Sequence, residues 1–314
     1  MTVGDPACDA DAGIALDAGD GHRFRLLARI PATPVCSLLW LPALGVAARH
    51  YLPLADALAA RGVAVFLHEW RGNGSSSLRA DRSRDWGYHE LLTADLPASQ
   101  RAIDDLLPGV PRVIGGHSLG GQLACCRLAL DADAAQALWL VASGAPYWRA
   151  FPPRSRWWLP LVYRFLPWLA DACGALPGRR IGFGGNEARS LVRDWSRTAL
   201  GGRYAAAGID TDLDRAMGSI EVPVRAAVMR DDWLGPESSL RFLLSKLPRS
   251  PVQVTTFDAN RLGTKADHFA WMREPEAIAG FLASQVGATP RRTGYAPANA
   301  TSPGTEASNP APLP

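Results

Sequence analysis

Lysine is almost missing from this chain of 314 residues. Lys246 and Lys265 are the only two, and arginine carries nearly all the positive charge. A net charge of +3 is too small to call for a nucleic-acid partner. Cysteine is sparse and irregular. Cys8, Cys36, Cys125, Cys126 and Cys173 are odd in number, scattered, and form no C-x-x-C pair, so neither a disulfide framework nor a zinc site is indicated. The opening stretch MTVGDPACDADAG is acidic and lacks the basic start and apolar run of a secretory signal. Long apolar runs are lacking as well. The most apolar stretch, 157–175, is interrupted by Pro160, Arg164, Pro167 and Asp171 and makes a poor membrane span. A reducing cytoplasm is the expected compartment. Large apolar residues are nearly absent from 286–314, which reads as a disordered tail, and 1–11 reads as a flexible start.

What is present is an ordinary globular balance, 47% apolar and 20% charged, on a chain long enough to bury a large core. Residues 12–143 alternate strand and helix patterns. Gly13–Asp17 and His22–Arg29 suggest an antiparallel hairpin. Strands are expected at 35–41, 63–67, 110–114 and 137–142, with helices at 51–61 and 88–107. Two more strands, 222–229 and 252–257, follow after a gap. This alternation implies an α/β fold with a mostly parallel central sheet flanked by helices. The gap, 144–220, shows helical patterns, no clear strand, and Trp148, Trp157, Trp158, Trp168 and Trp195. It is expected to be a helical cap insertion over the C-terminal ends of the strands, with 221–285 completing the core.

The stretch RVIGGHSLGG (112–121) places Ser118 among four glycines, after a β-branched run and before a good helix former. Strand, sharp turn and helix around Gly116-x-Ser118-x-Gly120 are the context a nucleophile elbow needs. Side chains at 116 and 120 would crowd the turn, and the serine would sit at a helix N-terminus, where free N–H groups favour negative charge. A serine hydroxyl needs a base, and the base needs an orienting group. His268 is the only histidine beyond Ser118, in a loop before the last helix pattern. For the acid, Asp231 and Asp232 follow the 222–229 strand, with Asp258 as runner-up; Asp267 is too near His268 to reach its far nitrogen. Oxyanion donors are expected from the backbone of Leu119 and from the Pro42–Gly45 loop, with Leu44 assigned and Ala43 possible.

These residues resemble the α/β-hydrolase superfamily over about 12–285. The matching pieces are LPALG (41–45), HEWRGNGSS (68–76), GGHSLGG (115–121), DDWLGP (231–236) and DHFAWMR (267–273). ALGV (43–46), SGAPYWR (143–149) and Pro177-Gly178 are also similar to a bacterial group of α/β hydrolases of undefined substrate. The resemblance implies an α/β-hydrolase fold and a serine esterase chemistry without metal or organic cofactor. Its acid turn, Asp, two residues, a small residue, then Pro, selects Asp232 over Asp231. The expected catalytic set is therefore Ser118, Asp232 and His268. The chain departs from the family where Pro42-Ala43 replaces the frequent His-Gly pair.

Between 144 and 203 stand ten arginines against Asp171, Glu187 and Asp194. This local excess suits an anionic or acyl ester or thioester, with Trp148, Arg154 and Trp157 as expected substrate contacts, or contact with an anionic membrane surface. Acyl transfer, cleavage after a small N-terminal residue, and non-catalytic binding are the rival readings.

Overall fold

Apolar and β-branched runs form strands where glycine, proline or charge bounds them, and all the expected core strands form. In the computed structural model, which describes residues 13–284, they are β1 (Ile14–Asp17), β2 (Arg23–Arg29), β3 (Cys36–Leu41), β4 (Val63–Leu67), β5 (Arg112–His117) and β6 (Ala137–Val141). Two two-residue strands follow, β7 (Leu176–Pro177) and β8 (Asn186–Glu187), and then β9 (Val224–Met229) and β10 (Val252–Phe257). The flexible start and disordered tail expected at 1–11 and 286–314 lie outside the described residues.

Eight strands form one sheet in the order β1-β2-β4-β3-β5-β6-β9-β10. From β4 to β10 every pairing is parallel, and the β1–β2 hairpin joins antiparallel at one edge. Strands β3, β4 and β9 are buried along their whole length. Both faces of the sheet are covered, and a continuous apolar run rather than an alternating one is what such a strand requires. This is the α/β-hydrolase fold. Among the described residues no helix is long and apolar enough to cross a membrane.

Two details differ from the sequence pattern. The helix expected over 88–107 carries a π-wound stretch, Leu91–Asp95, before the regular helix Leu96–Leu106. Pro97 has no N–H to offer the preceding turn, which widens, and Asp95 turns inward. The inserted segment 144–220 is not free of strand, because β7 and β8 pair antiparallel. Its main helices, Leu159–Cys173 and Arg189–Gly201, pack together through two small apolar clusters that share Trp195. The segment joins β6 to the adjacent β9, and its Phe151, Trp158 and Trp195 line the same hollow as Ser118, which follows the C-terminal end of β5.

Candidate active site

Ser118 lies between β5 and the helix Leu119–Leu130 with φ 54° and ψ −118°, a region that L side chains rarely occupy. Holding it costs about 1–3 kcal/mol and must be repaid by the surroundings. Ser143 contributes: its Oγ donates to the Ser118 carbonyl at 2.8 Å. The close approach of neighbouring backbone explains the glycines. A Cβ at Gly120 would overlap the Leu41 carbonyl oxygen and lie 2.7 Å from that of Pro42.

His268 Nδ1 donates to Asp232 Oδ2 at 2.7 Å, and both residues are buried. The other carboxylate oxygen, Oδ1, accepts the N–H groups of Leu234 and Gly235 at 2.8 and 2.9 Å. With Nδ1 as donor, Nε2 is left as the proton acceptor of the ring. Indole Nε1 of Trp271 donates to the His268 carbonyl and anchors the loop. The alternative acids are engaged otherwise. Asp231 is exposed, Asp258 caps the helix Ala259–Leu262, and Asp267 accepts from the N–H groups of Phe269 and Ala270.

Ser118 and His268 line one cavity of about 180 Å³, together with Ala43, Leu44 and Leu119. Among the described residues Ser118 Oγ makes no hydrogen bond; such contacts commonly tighten only when substrate is bound. The loop after β3 is held at three points. The Pro42 carbonyl accepts from Trp70 Nε1 at 2.8 Å, Ala43 N–H donates to Tyr51 Oη at 2.9 Å, and Ala48 N–H to Glu69 Oε1 at 3.0 Å. Ala43 is thereby spent, whereas Leu44 N–H is unclaimed among the described residues. Leu119 opens its helix, so its N–H has no intrahelical acceptor.

Sequence reasoning missed these supports. Tyr51 Oη also bonds His117 Nδ1 at 2.8 Å, and the His117 ring packs 4.7 Å from that of His268. Burial, with the His268 charge adding to it, holds the His117 pKa well below the ordinary imidazole range. A histidine next to the serine was the only signal available. Glu187 was missed too. It is buried behind the same loop, near Leu44 and Gly45, and its Oε1 accepts from Gly185 N–H at 2.7 Å. Burial raises its pKa to about 7 against the pull of that N–H and of Arg179. Gly45, at φ 74°, has Gly184 and Gly185 directly against it, so the inserted segment rests on the loop backbone.

The expected substrate contacts are corrected. Trp148, Arg154 and Trp157 do not line this cavity. Trp148 packs on the Phe151–Leu159–Tyr163 cluster, Arg154 borders a separate surface hollow beside Asp231, and Trp157 is exposed. Trp157 and Trp158 are neighbours in the turn between the helices Pro153–Arg156 and Leu159–Cys173, and of the two Trp158 lines the cavity. The apolar wall comes from Phe151, Trp158, Val162, Tyr163, Trp195 and Trp233.

A family model described as serine aminopeptidase, S33, matches residues 37–259. No curated protein matches the chain significantly. Solved structures do. A hydrolase from Pseudomonas aeruginosa PA01 aligns with TM-score 0.55 at 18% identity, covering 87% of this chain and 98% of that one. Est1E from Butyrivibrio proteoclasticus with bound ferulic acid aligns at 0.55 and 16%, covering 88% and 100%. A thermophilic esterase from Thermogutta terrifontis, malate bound, aligns at 0.59 and 14%, covering 88% and 98%.

Proposed function

The chain belongs to the serine aminopeptidase S33 family of α/β hydrolases, and from that premise we propose a serine hydrolase that cleaves a carboxylic ester or thioester through an acyl-enzyme. The observation that carries this reading is the His268–Asp232 pair opening onto the cavity that also holds Ser118. Ser118 Oγ attacks the acyl carbon while His268 Nε2 takes its proton. Asp232 keeps the ring in the required tautomer and stabilises the imidazolium. Leu44 and Leu119 N–H groups receive the oxyanion, and a donor of that kind contributes about 3 kcal/mol to the barrier reduction. Collapse expels the alcohol or thiol, which leaves with the proton from His268. Water, deprotonated by the same nitrogen, then releases the acid and restores Ser118.

The cavity wall argues for the acyl group. Apart from Ser118, Gln122 and His268 its side chains are apolar or aromatic, and no arginine is among them. The arginines of the inserted segment therefore do not supply a pocket for a charged acyl end. An aminopeptidase must hold an α-ammonium group, and no carboxylate lines the cavity either. The reading is thus an apolar acyl or aromatic acyl group, with the inserted segment as its cap. The four thiols among the described residues are free, which suits a reducing compartment such as the cytoplasm.

A panel of p-nitrophenyl esters and acyl thioesters of increasing chain length, with aminoacyl p-nitroanilides beside them, tests this, with Ser118→Ala as the blank. Hydrolysis should favour uncharged medium acyl chains over aminoacyl substrates. Turnover of aminoacyl amides alone, or of nothing in the panel, would reject it.

A further inference from the structure

The helix Leu159–Cys173 of the inserted segment presents two faces. Trp158, Leu159, Val162 and Tyr163 line the cavity over Ser118. Leu161, Phe165 and Trp168, spaced four and three residues apart, stand on the outer side and are 64%, 49% and 62% exposed. Trp157, in the turn that precedes the helix, is 74% exposed. Phe165 and Trp168 touch only at their rings, with centroids 5.6 Å apart. Such a row of large apolar side chains is rarely left in water without a purpose.

The inserted segment that carries the row is rich in arginine. Among the described residues Arg149, Arg154, Arg156, Arg164, Arg179 and Arg180 have no carboxylate within ion-pair distance, whereas Arg193 and Arg197 of the next helix are paired. Asp171, at the end of the row, is neutralised by Arg193 at 2.6 Å. The row also continues to the cavity. Trp233, 59% exposed, faces Trp158 at 6.4 Å, and Phe269, 46% exposed, packs on His268 at 4.7 Å.

We infer that this face docks on an anionic phospholipid bilayer, and that the cavity draws its acyl ester from that surface. The second clause rests on the hydrolase reading; the first does not. Tryptophan favours the boundary between headgroup and acyl chain, and arginine can bury its stem there while its guanidinium meets lipid phosphate. A second copy of the chain fits less well, because a two-fold contact through this face would bring like charges together near the axis.

The full-length Ser118→Ala protein, which reads binding apart from turnover, is sedimented with vesicles of phosphatidylcholine alone or mixed equally with phosphatidylglycerol. It should bind the mixed vesicles far better, and salt should weaken the binding. Leu161→Glu with Trp168→Glu should lower partitioning roughly tenfold or more. In the wild-type background the same pair should leave hydrolysis of soluble p-nitrophenyl acetate unchanged, which also verifies folding. No binding to the mixed vesicles, or binding indifferent to the double substitution, would overturn the proposal. So would a lipid-free dimer that the substitution dissociates, since the face would then belong to a second copy. Vesicle binding without ester hydrolysis by the wild type would instead sink only the hydrolase reading.

Discussion

Among the described residues two sets of serine, histidine and aspartate come together, and the proposed function rests on only one of them. In the first, His22 Nδ1 bonds Asp95 Oδ1 at 3.0 Å and His22 Nε2 bonds Ser76 Oγ at 3.0 Å. That chain of contacts is more complete than the Ser118 set, whose serine is unbonded. Yet Ser76 Oγ also accepts from Gly72 and Leu78 N–H groups, and all three residues are buried. Arg71 holds both oxygens of Asp95 at 2.8 Å. This group ties the turn after β4 to the helical stretch that carries Asp95, and that turn holds the loop after β3 through Glu69 and Trp70. The Ser118 group has a strained serine, a cavity and two unclaimed N–H groups instead. Bond geometry within the three side chains does not distinguish a catalyst; access and what surrounds the hydroxyl do.

The largest contrast should come from the two serines. Ser118→Ala should lower kcat on the best p-nitrophenyl ester by on the order of 10⁴–10⁶. Ser76→Ala should leave kcat within about twofold and cost about 1–2 kcal/mol of stability in urea titrations. The acids should separate next. Asp232→Asn should reduce kcat by on the order of 10⁴, since it removes the group that sets the His268 tautomer. Asp231→Asn, exposed one residue away, should stay near wild type; equal losses would undo the assignment. Asp95→Ala should show the reverse pattern, losing about 3–5 kcal/mol of stability because buried Arg71 keeps only the partly exposed Asp20 as a partner and His22 loses its acceptor. The protein that remains folded should keep its kcat.

The last contrast, with no effect expected on turnover, is in the pH dependence of stability. Burial would raise the Asp95 pKa, but the His22 and Arg71 bonds outweigh it and hold it below the ordinary range. Its contribution is present above the ordinary carboxylate range and is lost as pH falls through the lowered value. Glu187 runs the other way. Its proton is kept in the fold up to about pH 7, whereas the unfolded chain releases it near its ordinary value of 4.5. Stability therefore declines as pH rises through that window and then levels. Glu187→Gln should flatten the decline, with a gain on the order of 3 kcal/mol above pH 7 and almost none at pH 4, measured by urea unfolding at both. A gain of equal size at both pH values would show that Glu187 is not held protonated.

The two groups also differ in how far sequence could show them. Ser118 was legible because its strain needs glycines at 116 and 120, which are local. His268 stood out because no other histidine follows Ser118, and Asp232 because its turn has a spacing. The sheet was legible for the same reason: its central strands are short, mostly apolar runs. His22 and Asp95 are 73 residues apart and meet only through the hairpin and a π-wound turn, so no local pattern marks them. The inserted segment was read only in outline. Its tryptophans divide between cavity and surface, in one case between neighbours in a turn, and composition does not record which way a side chain faces. Hence Trp158 and Trp195 line the site, while Trp148, Arg154 and Trp157, expected there, do not. Tyr51, Glu69 and Trp70 act by holding one loop from afar, a role that residue type alone does not announce.

Labelling with a fluorophosphonate probe, read by intact mass and peptide mapping, tests the central claim most directly. One adduct per chain on Ser118, absent from Ser118→Ala and retained in Ser76→Ala, is the result expected. A folded protein that stays unlabelled, or that carries the adduct on another residue, would contradict it.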